Sequence, residues 1–267
     1  HPGITDGPEN SVSAEPLIMN MVSVNNKFKN TILDNSADPA YPASVMFNAS
    51  HKDGHYLQLD NEIFHGLTEF TIQIDFELDF SRSKNTKEAF LLSLATNWPK
   101  LRDNMFSIYL KNNENKKDNN NASQDPAWDL EISMEDRKGT EYKIFRDEAF
   151  IIERERVRLT VGVDLSSSKS LQAVSREVAV FEDGAEVGND EKSSMIVSNF
   201  PYLEVAAKGA VFGNDQDKVG GKFSKKQAFE GNLYEIRVYD QKLAPTDPAF
   251  QEHLLYSVSH ENILFPE

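Results

Sequence analysis

Ten consecutive residues, 71–80, alternate strictly between polar and apolar side chains. The apolar set is Ile72, Ile74, Phe76, Leu78 and Phe80, and the polar set is Thr71, Gln73, Asp75, Glu77 and Asp79. Successive side chains of a β-strand point to opposite faces, so this pattern predicts a strand with one buried face and one face in solvent. Such a strand has to bury its apolar face against a second layer, which is typical of antiparallel sheets.

The same alternation recurs along the chain and predicts further strands. Its members are Phe106, Ile108 and Leu110; Trp128, Leu130, Ile132 and Met134; Val157, Leu159, Val161 and Val163; and Tyr234, Ile236 and Val238. Helical patterns are confined to a turn near Asn61–Gly66 and to the tail Pro248–Tyr256. The sequence therefore predicts an all-β fold, a two-sheet antiparallel β-sandwich of the jelly-roll type with few short helices.

Two connections carry turn signals of their own. Asp183-Gly184 follows a predicted strand, and this dipeptide is typical of a tight β-hairpin. The Asn-rich segment Lys111–Pro126 separates two predicted strands and indicates a long exposed hairpin loop. Neither feature indicates a boundary between two domains.

The domain organisation is predicted from length and composition. The chain has 267 residues, of which 39% are hydrophobic, enough for the core of one large β-sandwich. Residues 1–16 are polar and rich in Gly and Pro, so we expect a flexible N-terminal segment, followed by a single domain over residues 17–267. Because the chain begins with His1 instead of Met, we expect an upstream segment to have been removed and the protein to be secreted or on the cell surface.

Charge and composition restrict the expected partners. A net charge of -15 repels phosphate backbones and anionic lipid, so neither nucleic acid nor an anionic membrane surface is expected as a partner, whereas calcium is a permitted ligand. Membrane insertion is not expected either. No apolar run reaches the length of about 18 residues that a membrane span needs. The chain has no Cys, which excludes disulfides and thiolate chemistry. The oligomeric state is left open.

The C-terminal part carries a recognisable pattern, F-x-G followed by an alternating strand and a short loop: Phe229-Glu-Gly231, Glu235-Ile-Arg237-Val-Tyr239 and Leu243-Ala-Pro245. Earlier fragments occur in a matching order: Val45-Met-Phe47, Tyr56-Leu-Gln-Leu59, Phe70-Thr-Ile72, Arg158-Leu-Thr-Val161 and Val178-Ala-Val-Phe181-Glu-Asp183-Gly184. Over roughly residues 44–247 the chain thus resembles the laminin G-like domains of the concanavalin A-like lectin and glucanase class. That resemblance implies the sandwich fold. It implies no single function, because lectins, glycosidases, polysaccharide lyases and adhesion modules share the fold.

One position departs from that family. Related domains usually have Asp where this chain has Tyr234, and related hydrolases use an Asp near there for a structural calcium ion. By strand parity Tyr234 falls with Ile236 and Val238, so we expect its side chain to face the core. Calcium is therefore not expected at that position.

Two acidic stripes invite comparison with glycosidases, whose chemistry needs two carboxylates flanking one bond. Asp75, Glu77 and Asp79 share one strand face, and Asp129 and Glu131 share another, with Glu135 further along. We expect a solvated acidic surface at these stripes, and a glycan-cleaving enzyme based on Asp75, Glu77 and Asp79 is the alternative. The pair His51 and His55 flanks a turn and is expected to be a surface pair. Since no complete catalytic motif is present, the sequence favours a protein that is not an enzyme.

A sugar site needs an apolar platform for the pyranose ring and polar groups for its hydroxyls. Trp98 lies in a polar loop between two predicted strands, and we expect it to form such a site with Asn97, Arg102 and Asp103. Trp128 is expected to lie in the core. The loop residues Asn214, Asp215 and Asp217 have oxygen ligands at alternate positions and are a weak candidate for calcium.

The hypothesis is therefore a non-catalytic module that binds a polysaccharide or the glycan of a glycoprotein. A module for protein–protein adhesion is the other alternative.

Overall fold

Two antiparallel sheets make up most of the structure, which is a computed structural model. It describes residues 33–34, 44–47, 49, 56–80, 86–97, 105–112, 127–135, 141–152, 156–165, 168–170, 173–174, 177–182, 185–190, 202–216, 219, 223 and 226–259. The strands, in chain order, are β1 Leu33–Asp34, β2 Ser44–Phe47, β3 Leu57–Gln58, β4 Glu69–Leu78, β5 Glu88–Leu94, β6 Phe106–Asn112, β7 Ala127–Glu135, β8 Glu141–Ile152, β9 Arg156–Asp164, β10 Ser168–Ser170, β11 Ala173–Val174, β12 Glu177–Glu182, β13 Ala185–Asp190, β14 Ala210–Phe212, β15 Gly231–Tyr239 and β16 Leu254–Ser259.

The strands divide into two layers. The first sheet has the order β1-β2-β15-β4-β9-β12-β13, with β16 also paired to β15. The second sheet has the order β3-β14-β5-β6-β7-β8, and β10 and β11 form a small separate pair. The prediction of an all-β, two-sheet antiparallel sandwich is confirmed. The long central strand β4 lies between β15 and β9, so residues far apart in sequence meet beside it.

The predicted apolar faces form one core between the sheets. Strand β4 contributes Phe70, Ile72, Ile74, Phe76 and Leu78, and the strand faces predicted for β6, β7 and β9 are buried there as well. Because inner faces of packed sheets interdigitate, period-2 alternation places each apolar set in the core once the sheets stack. Trp128 is fully buried and stacks on Phe80 with ring centroids 4.5 Å apart, as expected for a core residue.

The predicted hairpins agree with the strand pairing. Asn112 at the end of β6 pairs with Trp128 near the start of β7, so the Asn-rich segment joins two neighbouring strands. Glu182 pairs with Ala185, which leaves two residues to connect β12 and β13. Residues 113–126 and the dipeptide Asp183-Gly184 themselves lie outside the described residues.

The helix predictions are partly corrected. A short 3-10 helix over Asn61–Ile63 lies where a turn was expected, and Asp60 caps it by accepting a hydrogen bond from the backbone N–H of Glu62. The predicted helical tail is only a 3-10 helix over Phe250–His253, after which the chain continues as strand β16. Pairing with β15 supplies the backbone hydrogen bonds there and outweighs a weak helical pattern.

The prediction that Tyr234 faces the core is wrong, because β15 contains a β-bulge. Leu233 pairs with Phe76 and Glu235 pairs with Asp75, so Tyr234 is an extra residue on β15. Leu233 and Ile236 belong to the core, whereas the Tyr234 hydroxyl donates a hydrogen bond to Glu77 on the outer face. A bulge shifts strand parity by one residue, which simple alternation cannot foresee.

Candidate functional site

The outer face of the first sheet brings polar residues of three strands into rows. Across β15, β4 and β9 the rows are Arg237–Gln73–Thr160, Glu235–Asp75–Arg158 and Asn232–Glu77–Arg156. Neighbouring strands lie about 4.8 Å apart, and successive rows on one face lie about 6.7 Å apart. Three arginines therefore surround Asp75 and Gln73 within a small area.

Asp75 is the centre of this arrangement. It is only 3% exposed, although its strand face was expected to be solvated. Nε and Nη2 of Arg156 donate to its two carboxylate oxygens, each at 2.7 Å, and Nη2 of Arg158 donates to one of them at 3.0 Å. Two guanidinium groups thus cover a carboxylate that the sequence pattern placed in water, a geometry that suits the planar donor fork of Arg.

Glu77 and Tyr234 extend the network. The Tyr234 hydroxyl donates to Glu77 at 3.1 Å, and the guanidinium of Arg156 lies 4.2 Å from the centre of the Tyr234 ring. Burial raises the pKa of Tyr234 to about 12, and the charge of Glu77 adds to this effect. Tyr234 therefore stays a protonated donor at neutral pH, and Arg156 is held from two sides. The third member of the stripe, Asp79, is half-buried.

Arg237 lies on β15, so β4 separates it from Arg156 and Arg158 on β9. Its Nε donates to Glu235 at 2.8 Å, and Ser257 on β16 donates to the same carboxylate oxygen at 3.0 Å. The side chain of Arg237 is 30% exposed. Gln73 lies on β4, between β15 and β9, and its side-chain amide donates a hydrogen bond to the Thr160 hydroxyl at 3.1 Å. This bond orients the Gln73 side chain at the centre of the row Arg237–Gln73–Thr160.

The loop after β15 closes one end of this surface. The Thr71 hydroxyl donates to the carbonyl of Gln241 at 2.7 Å and accepts from the backbone N–H of Leu243 at 2.9 Å. Gly162 lies beneath this loop, where a Cβ would make a tight contact of 3.1 Å with the side chain of Lys242. Farther along, the Phe250 ring packs on Tyr239 with ring centroids 4.1 Å apart.

The result is an open groove of about 450 Å³ on the outer face of the first sheet. Its walls are Gln73, Asp75, Arg156, Arg158, Arg237, Pro245, Phe250 and Gln251. We call it the arginine groove. It combines guanidinium and amide donors with two apolar side chains, which is the composition of a site for a polar ligand with an apolar face.

The second acidic stripe, on β7, is also buried. Glu131 is 1% exposed and accepts hydrogen bonds from Tyr109 at 2.7 Å and from Lys143 at 2.6 Å. Phe90 stacks on Tyr109 with ring centroids 4.9 Å apart, which holds the phenol against β7. Burial alone would raise the pKa of Glu131, but the hydrogen bonds from Lys143 and Tyr109 and the nearby lysine charges outweigh it and lower the pKa.

The lowered pKa of Glu131 predicts a pH-dependent contribution to stability. A carboxylate with a folded-state pKa below its unfolded value stabilises the protein above the unfolded value, near 4.5, and loses this contribution as pH falls through the folded pKa. We expect Glu131→Gln to lower the melting temperature at pH 7, with a difference from wild type that shrinks steadily below about pH 4.5. Melting curves between pH 7 and 3 measure it, with Glu252→Gln on the surface as the control. A difference independent of pH would contradict the assigned charge state.

The other predicted site residues that the structure describes do not line the arginine groove. Asn97 is exposed just after β5, whereas Trp98, Arg102 and Asp103 lie outside the described residues. Asn214 and Asp215 are buried; Asp215 accepts from the backbone N–H of Gln216 and from the amide of Gln227. Asp217, His51 and His55 are outside the described part.

No metal site or membrane helix is found in the part of the chain that the structure describes. Among those residues no three His, Asp or Glu side chains are grouped as metal ligands. Asp215 turns both of its carboxylate oxygens toward protein donors, so the predicted calcium loop gains no support from its local contacts. No described helix is long and apolar enough to cross a bilayer.

Sequence reasoning missed the arginines of the groove. Arg158 was noted only as part of the fragment Arg158-Leu-Thr-Val161, and Arg237 only as part of the C-terminal strand pattern. Neither was predicted to be a site residue. The signal present in the sequence was that Arg156 and Arg158 occupy alternate positions on one strand and so share a face. Their meeting with Asp75 depends on the pairing of β4 with β9, which the sequence does not specify.

Comparison with solved structures defines the class as an antiparallel β-sandwich. Tailspike protein 2 of Escherichia coli O157:H7 bacteriophage CAB120 aligns with a TM-score of 0.52 and 9% identity, over 81% of this chain and 26% of that chain. A heptameric pentraxin from Limulus polyphemus aligns over 67% of both chains with a TM-score of 0.41 and 17% identity. At 9% identity, the similarity to the tailspike protein supports the fold alone.

Sequence comparison gives a narrower result for the C-terminal part. Residues 164–264 match the Pentaxin family. Neuronal pentraxin-1 of Rattus norvegicus is 36% identical over 66 residues, and the human protein is 35% identical over 66 residues. These stretches span 24% of this chain and 14% of the pentraxin chains. The region matched by the family includes β15 and the loop that supplies one wall of the arginine groove.

Proposed function

We propose that the protein is a pentraxin-like, non-catalytic binding module that holds a glycan in the arginine groove. The observation that carries the proposal is the groove itself, an open cleft in which guanidinium and amide donors face two apolar side chains. Saccharides present hydroxyls at their edges and C–H groups on their faces, so such a lining is complementary to them. The match of residues 164–264 to the Pentaxin family supports the proposal, because four of the eight groove residues lie within it.

The contacts of the acidic stripe favour binding over hydrolysis. Both oxygens of Asp75 accept from guanidinium groups, and Glu77 accepts from Tyr234. A carboxylate that bridges arginines holds the groove together and is poorly placed to exchange a proton with a glycosidic oxygen. Hydrolysis of a bound sugar that is lost in Glu77→Gln would favour the glycan-cleaving alternative with Asp75, Glu77 and Asp79.

The Trp98 loop, which follows β5 of the second sheet, is part of the proposal as a separate candidate ligand site. Asn97 is exposed at the end of β5, and Trp98, Arg102 and Asp103 follow it in sequence. An indole in a loop can stack on a pyranose face, and the polar neighbours can bind hydroxyls. A secreted or cell-surface location belongs to the proposal, since the expected glycans are extracellular.

The test is a glycan array, probed with and without calcium, followed by a variant that fills the groove. Gln251 lines the groove and is exposed, so Gln251→Trp blocks it without disturbing the core. We expect binding of the array's best ligand to weaken at least about tenfold, because the ligand loses its apolar and hydrogen-bonded contacts. The matched control is Glu252→Trp, an exposed neighbour that does not line the groove.

The outcomes separate the alternatives. Loss of binding in Gln251→Trp alone supports the groove. Equal binding by both tryptophan variants moves the site elsewhere, with the Trp98 loop tested next. Absence of any bound glycan at millimolar concentrations overturns the proposed function in favour of the protein–protein adhesion module.

A further inference from the structure

The rows of residues around the arginine groove carry equal numbers of positive and negative groups. Across β15, β4 and β9 they hold three arginines and three carboxylates, Asp75, Glu77 and Glu235. These formal charges cancel, although the chain as a whole carries a net charge of -15. A charged ligand therefore finds no opposite net charge in these rows to compensate the loss of its own hydration.

The arginines of the groove are engaged within the protein. Both arginines of β9 donate to Asp75, and Arg158 makes a further interaction besides. Arg237 donates to Glu235 and also interacts with the hydroxyl of Tyr239. Each guanidinium thus lies against a carboxylate of the sheet, so its charge is compensated before any ligand enters the groove.

The uncharged residues of the groove lie together at one end. Gln73 is one row, about 6.7 Å, from the row of Tyr239. Phe250 packs on the Tyr239 ring with ring centroids 4.1 Å apart, and Gln251 follows it in the same 3-10 helix. Pro245, in the loop after β15, also lines the groove. Two amides and two apolar side chains therefore form an uncharged end, whereas the arginines of β9 lie toward the other end.

The two amides suit hydroxyl groups. Gln73 has two N–H donors and a carbonyl acceptor, and its bond to Thr160 uses one donor. Gln251 is exposed at the rim of the groove. A hydroxyl both donates and accepts, so it matches an amide, whereas a carboxylate only accepts and is repelled by the amide oxygen. The apolar wall of Pro245 and Phe250 complements the C–H face of a sugar ring.

We infer that, if the proposed glycan-binding function holds, the arginine groove selects an uncharged saccharide, with Gln73 and Gln251 as the contacts to its hydroxyls. The arginines then hold the carboxylates of the sheet in place and do not serve as an anion site. Because recognition uses amides and apolar contacts, it is insensitive to salt and proceeds in the presence of EDTA.

Titration calorimetry with matched sugars tests this. The array's best ligand is titrated beside two pairs, lactose against 3′-sialyllactose and the methyl ester of trigalacturonate against trigalacturonate itself. We expect the tightest ligand to be uncharged. In any pair that binds, the acidic sugar should bind at least about tenfold more weakly, because its carboxylate loses hydration without gaining an opposite charge. The affinity of the uncharged ligand should change less than about twofold between low and high salt.

Variants of the two amides complete the test. Gln73→Leu keeps most of the side-chain volume and removes the amide, so binding of the uncharged ligand should weaken about 10- to 100-fold. Gln251→Leu, at an exposed position, tests the second amide without touching the interior of the sheet. The matched control is Gln58→Leu, the same change on β3 of the second sheet and outside the groove, which should leave the affinity unchanged. Melting curves show that each variant is folded.

Two results would overturn the inference alone. An acidic sugar that binds as tightly as its uncharged partner or more tightly, with an affinity that falls steeply with salt, removes the selectivity for uncharged sugars. Binding that Gln251→Trp blocks, but that neither Gln73→Leu nor Gln251→Leu weakens, removes the amide contacts. Both results leave the proposed glycan-binding function standing, whereas no binding of any array sugar overturns that function and the inference together.

Discussion

Gly231→Ala is expected to lower the free energy of unfolding by about 3–5 kcal/mol, one of the largest single-site effects in this chain. Gly231 has φ +146°, in a region that residues with a Cβ rarely adopt, and a Cβ there would overlap the backbone carbonyl of Glu77. The two strands would have to separate at the point where Gly231 pairs with Leu78 on one side and with Phe47 on the other. Urea denaturation followed by circular dichroism measures the loss.

The matched control is Gly66→Ala. Gly66 also has positive φ, at +83°, but a Cβ there would meet nothing within 4 Å. Its cost is therefore the conformational strain alone, about 1 kcal/mol. If Gly231→Ala were no less stable than Gly66→Ala, the close approach of β4 and β15 at this glycine would be refuted.

Phe229→Ala is expected to cost about 3–5 kcal/mol through the cavity that it leaves. The Phe229 ring is fully buried and makes edge-to-face contacts with Phe47, Phe212 and Phe76, at centroid distances of 5.6, 5.4 and 5.9 Å. These three rings come from β2, β14 and β4, so both sheets lose a partner in one substitution. Rigid neighbours on three sides limit collapse into the cavity, which places the cost in the upper part of the usual range.

Two variants isolate this effect. Phe229→Leu keeps most of the volume and is expected to cost less than about 2 kcal/mol, and Leu255→Ala at an exposed site is expected to cost less than about 0.5 kcal/mol. Equilibrium urea curves with a shared slope give the three differences. A cost for Phe229→Ala below that of Phe229→Leu would show that the aromatic cluster does not hold the two sheets together.

Both residues belong to the pattern Phe229-Glu-Gly231, on which the resemblance to known domains rests. The structure supplies the physical reason for the pattern. Phe229 fills the space between the sheets, and Gly231, two residues later, begins a strand that passes too close to β4 to accept a side chain. The resemblance identifies the pattern, whereas the need for these two residues follows largely from contacts with β2 and β4, which lie about 150 to 180 residues away in sequence.

The candidate site was harder to predict than the fold. The stripe of Asp75 and Glu77 was found from alternation, and its position on the outer face is correct. Its environment was not predicted, because the guanidinium groups that cover Asp75 come from β9, and the phenol that binds Glu77 comes from a bulge in β15. The burial of Glu131 on the second sheet has the same origin, since Tyr109 and Lys143 belong to the strands on either side.

The sequence by itself determined the fold class and the composition of the core. Alternation with a period of two is a local property, and it is written into β4, β6, β7 and β9 without reference to any neighbour, so each apolar face was predictable one strand at a time. Only the tertiary structure decided strand order, register and the bulge at Tyr234, because these depend on which strands pair. A groove made of Arg158, Gln73 and Arg237 exists only after β9, β4 and β15 align, and it is this non-local pairing that turns separate polar positions into a site.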